Sequence, residues 1–270
     1  MGSQDPFFKI ILIIMVGKPY AHHTLPFTTA LSKKTDPRTS RMIAFPHAGG
    51  SAMAFQRWGK LLSQDIELFA VQYPGREERA DEALLCQPQT LLNELQQALV
   101  TPQDKPLILF GHSLGGRLAL AVALMLPQPP LQLIISSCSS PYRARHEHLL
   151  RMSRNALLDA LLASGGISDT LRNERVLLDF YLPIIRADLL LSSQLTFPQS
   201  TCYQAPLAVF QGNRDNWTDE QDLADWRQIA SGEFQQHSFE GGHIYLEEQC
   251  DSVIARLHRL LAGHLAPTNV

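Results

Sequence analysis

No cysteine pattern runs through these 270 residues. Cys86, Cys138, Cys202 and Cys250 lie far apart, with no C-x-x-C and no zinc-ligand spacing. Neither a disulfide framework nor a metal finger is encoded, and reduced core thiols in a cytoplasmic protein are expected. An excess of positive charge is missing too. The 23 Lys and Arg against 26 Asp and Glu leave a net charge of −3, which argues against nucleic-acid or membrane-surface binding. There is no internal repeat and no low-complexity tract. The apolar stretch Phe7 to Val16 is too short to span a bilayer. It also lacks the basic start and the small-residue cleavage site of a secretory signal. It reads as an added first strand or as residues set ahead of the domain. Residues 17–40 read as a linker, which makes 1–40 a poorly ordered leader or extension.

What is present is an ordinary globular composition, 45% hydrophobic and 18% charged, in a length that suits one large α/β domain or two small ones. The organising stretch is Pro106 to Leu126. It opens on a buried strand, Leu107 to Phe110, and closes on an apolar helix, Leu118 to Leu126. Between them stands Gly111-His112-Ser113-Leu114-Gly115, a G-x-S-x-G. A strand before and a helix after that pattern make it a nucleophile elbow, with the serine on a strained turn and its Oγ exposed. The helix start favours negative charge at the same spot.

Upstream, Arg41 to Pro46 reads as a strand running into His47-Ala48-Gly49-Gly50. The loop after an early strand supplies one oxyanion donor in such hydrolases and the residue after the nucleophile the other. These would be the Ala48 and Leu114 amides. Ser51 to Leu62 reads as a helix with Phe55, Trp58, Leu61 and Leu62 on its core face. Ile66 to Tyr73 is the next strand, and the charge run Arg76 to Arg79 reads as a solvated loop. Thr90 to Val100 is an amphipathic helix and Leu131 to Ser137 a strand. From Arg143 to Phe197 the periodicity is helical. Helices over Leu149–Leu162, Asn173–Leu182 and Ile184–Leu195, the last two parted by Pro183, suit a lid over the nucleophile that contacts an acyl chain. Strands resume at Leu207–Phe210 and Phe234–Phe239, with helices over Trp217–Ile229 and Tyr245–Leu261.

A serine hydroxyl needs a base, and a base needs an orienting carboxylate. Of ten histidines, His243 follows a strand and two glycines, at the rim of the sheet. His112, next to the serine, points away and is structural. Among the intervening aspartates, Asp215 alone comes directly after a clear strand. The others, Asp188, Asp222 and Asp225 among them, fall on helices or in the lid, where carboxylates are usually solvated. The order Ser113, Asp215, His243 is that of the α/β-hydrolase class.

The assembled residues resemble the type II, external editing thioesterases of nonribosomal peptide and polyketide synthases. The resemblance spans about Arg41 to Leu261. It rests on AFPHAGGSAMAFQRW at 44–58, YPGRE at 73–77, FGHSLGG at 110–116, FYLPIIRAD at 180–188 and FEGGH at 239–243. The first and fourth of these are the discriminating ones. It implies an α/β-hydrolase fold over 41–265, a mostly parallel doubly wound sheet with a helical lid at about 143–197. It implies a triad on Ser113, Asp215 and His243. The substrate it implies is an acyl thioester on the phosphopantetheine arm of an acyl or peptidyl carrier protein. No metal and no cofactor of the enzyme's own is implied, and a monomer is expected.

Because carrier proteins are typically acidic, a local basic patch is expected near the lid, with Arg143, Arg145, Arg151 and Arg154 as candidates and Arg143 and Arg145 foremost. Scattered surface charge is the alternative. Rival functions are a general carboxylesterase, lipase or peptidase, an acyltransferase with the same triad, and a non-catalytic partner of synthase modules.

Overall fold

The computed structural model describes residues 28–31, 39–99, 105–163, 165 and 174–263. Seven strands form one sheet: β1 (Thr28–Ala30), β2 (Ser40–Phe45), β3 (Ile66–Val71), β4 (Leu107–His112), β5 (Gln132–Ser136), β6 (Leu207–Gly212) and β7 (Phe234–Phe239). Their order is β1-β3-β2-β4-β5-β6-β7. Only β1, paired to β3, runs antiparallel; every other neighbouring pair is parallel.

Strands β2 to β6 are apolar because both their faces are covered. Ile43, Phe45, Leu109, Ile135 and Val209 point into one core, while Met42, Ala44, Ile108, Phe110, Ile134 and Phe210 point into the other. The described helices are α1 (Trp58–Leu61), α2 (Pro88–Leu99), α3 (Leu114–Met125), α4 (Glu147–Leu150), α5 (Arg154–Ala163), α6 (Arg175–Gln194), α7 (Glu220–Ile229), α8 (Tyr245–Glu248) and α9 (Cys250–Leu261). The first core takes α2, α3 and Trp226 of α7; the second takes Trp58 of α1 and the apolar stripe of α9. Helices on both faces of a mostly parallel sheet make this a doubly wound α/β fold, and Ser113 on the turn between β4 and α3 agrees with the expected α/β-hydrolase fold.

The topology fixes where a site can form. The chain steps outward from β2 to β3, returns past β2 to β4, then continues through β5, β6 and β7 on the other side. Ligands bind beyond the carboxyl ends of the strands at such a reversal. The segments leaving those ends carry His47–Gly50 after β2, Ser113 after β4, Asp215 after β6 and His243 after β7.

Several expectations are corrected. Part of the expected linker is the edge strand β1, with Ala30 opposite Phe69; Phe7–Val16 lies outside the described residues. The expected helix at 51–62 is a 3₁₀ turn, Ala52–Phe55, followed by α1, and Leu61 is exposed. The first expected lid helix breaks into α4 and α5. Within the lid, Pro183 lies inside α6 and does not end it. Proline removes one helical hydrogen bond, but Leu182, Ile184, Ile185 and Ala187 around it are all buried, and that packing holds the helix through the defect. The lid has its own core, built on Leu149, Leu157, Leu161, Leu178, Leu182, Ile185 and Leu189. The final helix is divided at Gln249 into α8 and α9.

Candidate active site

Ser113 carries the strain that the motif demands, at φ 56° and ψ −117°. The flanking residues must be glycine. A Cβ on Gly111 would strike the Gly115 carbonyl, and one on Gly115 would strike the Phe45 carbonyl of β2. The turn is pinned by Ser113 N–H donating to the Ser136 carbonyl at 2.8 Å.

The three sequence-predicted side chains meet. His243 Nε2 lies 3.0 Å from Ser113 Oγ, and its Nδ1 lies 3.1 Å from each carboxylate oxygen of Asp215. The carboxylate is itself held, accepting from the Trp217 N–H at 2.8 Å and the Thr218 hydroxyl at 3.2 Å. Burial alone would raise the Asp215 pKa, but the adjacent His243 and the Trp217 N–H outweigh it and bring it down to about 2. An ionised Asp215 against Nδ1 fixes the tautomer in which Nε2 faces the serine as an acceptor. Trp217 lies 5.4 Å from His243, ring centroid to ring centroid.

His112 is structural, as expected. It is buried, with Nδ1 2.8 Å from Ser136 Oγ, which in turn lies 2.7 Å from the Tyr245 hydroxyl. Burial pushes its pKa well below the usual value.

A narrow cavity, open to solvent, lies over the serine. Ala48, Leu114, Cys138, Leu189 and Trp217 line it, with Arg117 and His146. The Ala48 and Leu114 N–H groups have no hydrogen-bond partner among the described residues, which leaves both amides available beside the nucleophile. Leu114 is the first residue of α3, where helical geometry leaves the amide unpaired. No His, Cys, Asp and Glu group among the described residues could hold a metal ion.

Charges read from sequence as solvated are the main misses. Arg76 is buried, not solvated. It donates to Asp188 of α6 through both terminal nitrogens, at 2.6 and 2.8 Å. Asp222 and Asp225 are likewise buried. They and Asp219 take up the arginines expected to form a free basic patch. Arg145 lies 2.5 Å from Asp219 and 2.6 Å from Asp222, and Arg143 lies 3.1 Å from Asp225. Arg154 is paired with Asp179. Oppositely charged partners on α7 and α6 therefore neutralise three of the four candidates, and only Arg151 remains exposed with no ion pair among the described residues. Arg117 was unforeseen. Buried on α3, it donates to the Leu195, Ser140 and Arg143 carbonyls and the Ser139 hydroxyl. Its position, one turn after the nucleophile on a face that is otherwise apolar, was the available signal.

The Thioesterase domain family model matches residues 40–261. The chain is 30% identical over 216 residues to the medium-chain S-acyl fatty acid synthase thioesterase of Rattus norvegicus, covering 76% of this chain and 81% of that protein. It is 31% identical over 215 residues to thioesterase PikA5 of Streptomyces venezuelae, covering 77% and 76%. The structure superposes on the type II thioesterase BorB of the borrelidin biosynthetic cluster with a TM-score of 0.78 at 27% identity, covering 91% of this chain and 100% of that one. On YbtT, a type II thioesterase of the yersiniabactin pathway, the TM-score is 0.76 at 27% identity, covering 89% and 100%.

Proposed function

Since this chain belongs to the thioesterase family, we propose that it hydrolyses acyl thioesters borne on the phosphopantetheine arm of carrier proteins, clearing misloaded or stalled chains from a nonribosomal peptide or polyketide synthase. The observation that carries the proposal is the unbroken hydrogen-bonded series Ser113 Oγ, His243, Asp215 at the base of an open cavity. Ser113 Oγ adds to the thioester carbonyl carbon while His243 Nε2 takes the hydroxyl proton. The oxyanion is received by the Ala48 and Leu114 amides. Collapse breaks the carbon–sulfur bond, and the thiol leaves with the proton from His243. Water, deprotonated by the same nitrogen, then attacks the acyl-serine, releases the acid and restores the hydroxyl. The thiolate is a good leaving group, so oxyanion stabilisation carries more of the barrier than acid assistance does. The chemistry needs no cofactor of the enzyme's own.

BorB and YbtT, both named as type II thioesterases of biosynthetic pathways, support the editing role. Arg143 and Arg145 are not assigned to carrier docking, because neighbouring carboxylates hold their charge. The test is to compare turnover of an acyl-carrier thioester with that of a simple ester of the same acyl group, using wild type and Ser113→Ala. The expected result is preferential thioester cleavage that the substitution abolishes. Preferential ester cleavage would favour the carboxylesterase alternative. Acyl transfer to an added acceptor, with no free acid formed, would favour the acyltransferase.

A further inference from the structure

The lid helix α6 reaches past the cavity to the loop that carries Ala48. Asp188 Oδ2 accepts the Gly49 N–H at 2.7 Å. The same carboxylate takes both terminal nitrogens of Arg76, and Arg76 Nη1 also donates to the Gly50 carbonyl at 3.1 Å. One turn earlier on α6, Ile185 closes over Gly49: a Cβ there would lie 2.6 Å from Ile185 Cγ1, at a residue whose φ is +80°. On the far side of the loop, the Tyr73 hydroxyl donates to the Pro46 carbonyl at 2.9 Å, and Gln72 Oε1 accepts the Ala52 N–H at 3.1 Å. The peptides around Ala48 are thus fixed from two directions, by the Gln72–Arg76 segment and by α6. Ala48 keeps its own amide free within that frame.

We infer that Asp188 is a positioning residue for the oxyanion site, and that seating of the carboxyl-terminal half of α6 and assembly of that site are one event. The inference rests on the reading of the Ala48 amide given above. Asp188 does not line the cavity over the serine; it acts through Gly49. Its carboxylate holds the Ala48–Gly49 peptide through the Gly49 N–H, and through Arg76 it steadies the Gly50–Ser51 peptide, whose carbonyl Arg76 binds. A lid that swung away at Asp188 would release both peptides and misplace the Ala48 donor. The lid then couples access to competence: the hole is complete only while this part of α6 is docked.

The test uses the full chain and a small free acyl thioester, with two further ligands: a trifluoromethyl ketone analogue, which Ser113 converts to a tetrahedral oxyanion, and the matching unreactive thioether. Asp188→Asn keeps the shape but removes the charge that holds Arg76. It is expected to lower kcat and kcat/KM by about 10- to 100-fold, less than the roughly 10²- to 10³-fold cost of losing one oxyanion donor outright, because the Ala48 donor is misplaced and not removed. The ketone should weaken by a similar factor, and thioether affinity should stay within about twofold. Arg76→Lys should show the same pattern to a smaller degree, and it decides the matter should the first variant fail to fold. Unchanged kcat, or a fall in kcat with ketone binding intact, would overturn the inference. Failure of the underlying reading looks different: wild type would then not cleave the thioester, or Ser113→Ala would still cleave it.

Discussion

Ser113, held at φ 56°, is the residue on which the local geometry converges, and its neighbours leave it no slack. Gly115 packs against the Phe45 carbonyl with no room for a methyl group. Gly115→Ala should therefore cost about 1–3 kcal/mol of unfolding free energy, read from urea denaturation, and depress turnover as β2 and α3 are forced apart. Asp215 is the second pressure point. Asp215→Asn should lower kcat by about 10³–10⁴-fold, because the imidazole loses the partner that fixes its tautomer. Its carboxyl is lowered to about 2 in the fold and lies near 3.9 in an unfolded chain. Its stabilising effect is therefore complete above about pH 4 and is lost as pH falls toward 2. These triad positions were legible because a serine on a strand-to-helix turn, an aspartate after a strand and a histidine after two glycines are local signals. Arg76 and Asp188 were not. Each sits among residues that read as solvated, and the partner that makes it a buried charge lies 112 positions away. The two motifs YPGRE and FYLPIIRAD carry one charge of the pair each, which was the sequence trace available.

At the scale of elements, the lid is fastened to the sheet domain at named points. Arg117 on α3 grips both the start of the insertion, at Ser140 and Arg143, and its end, at Leu195. Arg117→Met keeps most of the volume but leaves those carbonyls without donors. Its expected cost is roughly 2–4 kcal/mol, with faster limited proteolysis between residues 139 and 195 mapped by mass spectrometry. Arg186 closes the break between α4 and α5, donating to the Leu150 and Met152 carbonyls at 3.1 and 2.6 Å. The strands were legible to within a residue or two, since buried apolar runs end where the side chains turn polar. The lid was less so. A proline normally ends a helix, and only tertiary packing around Leu182 and Ile185 keeps α6 whole through Pro183. The pairing of β1 depends on β3, about forty residues downstream, and no local pattern in Thr28–Ala30 announces it.

Over the whole molecule, the imidazoles that border the site make the stability of the fold sensitive to acid. Burial, with His243 close by, lowers His47 on the oxyanion loop to about 4. Burial lowers His146 on the lid to about 4 as well, and its ring packs against Trp217 at 4.5 Å. Both are neutral in the fold and would take up protons more readily once unfolded. The stability they allow is fully present above about pH 6.5 and declines as pH falls toward 4. Urea unfolding followed across pH should show this fall first and the Asp215 loss below it. His146→Gln should reduce the upper step, since His47 and His112 still contribute to it, while leaving the lower one in place. All of this serves one arrangement, in which segments from the ends of four parallel strands and one lid helix enclose a reactive serine. The most direct test is intact-protein mass spectrometry of an acyl-loaded carrier protein mixed with the enzyme. With wild type, the carrier should lose its acyl mass and regain its free phosphopantetheine thiol, and a brief quench should find that acyl mass on Ser113. With Ser113→Ala, the carrier should stay loaded. Unloading that persists in Ser113→Ala, or acyl mass on any other residue, would contradict the account.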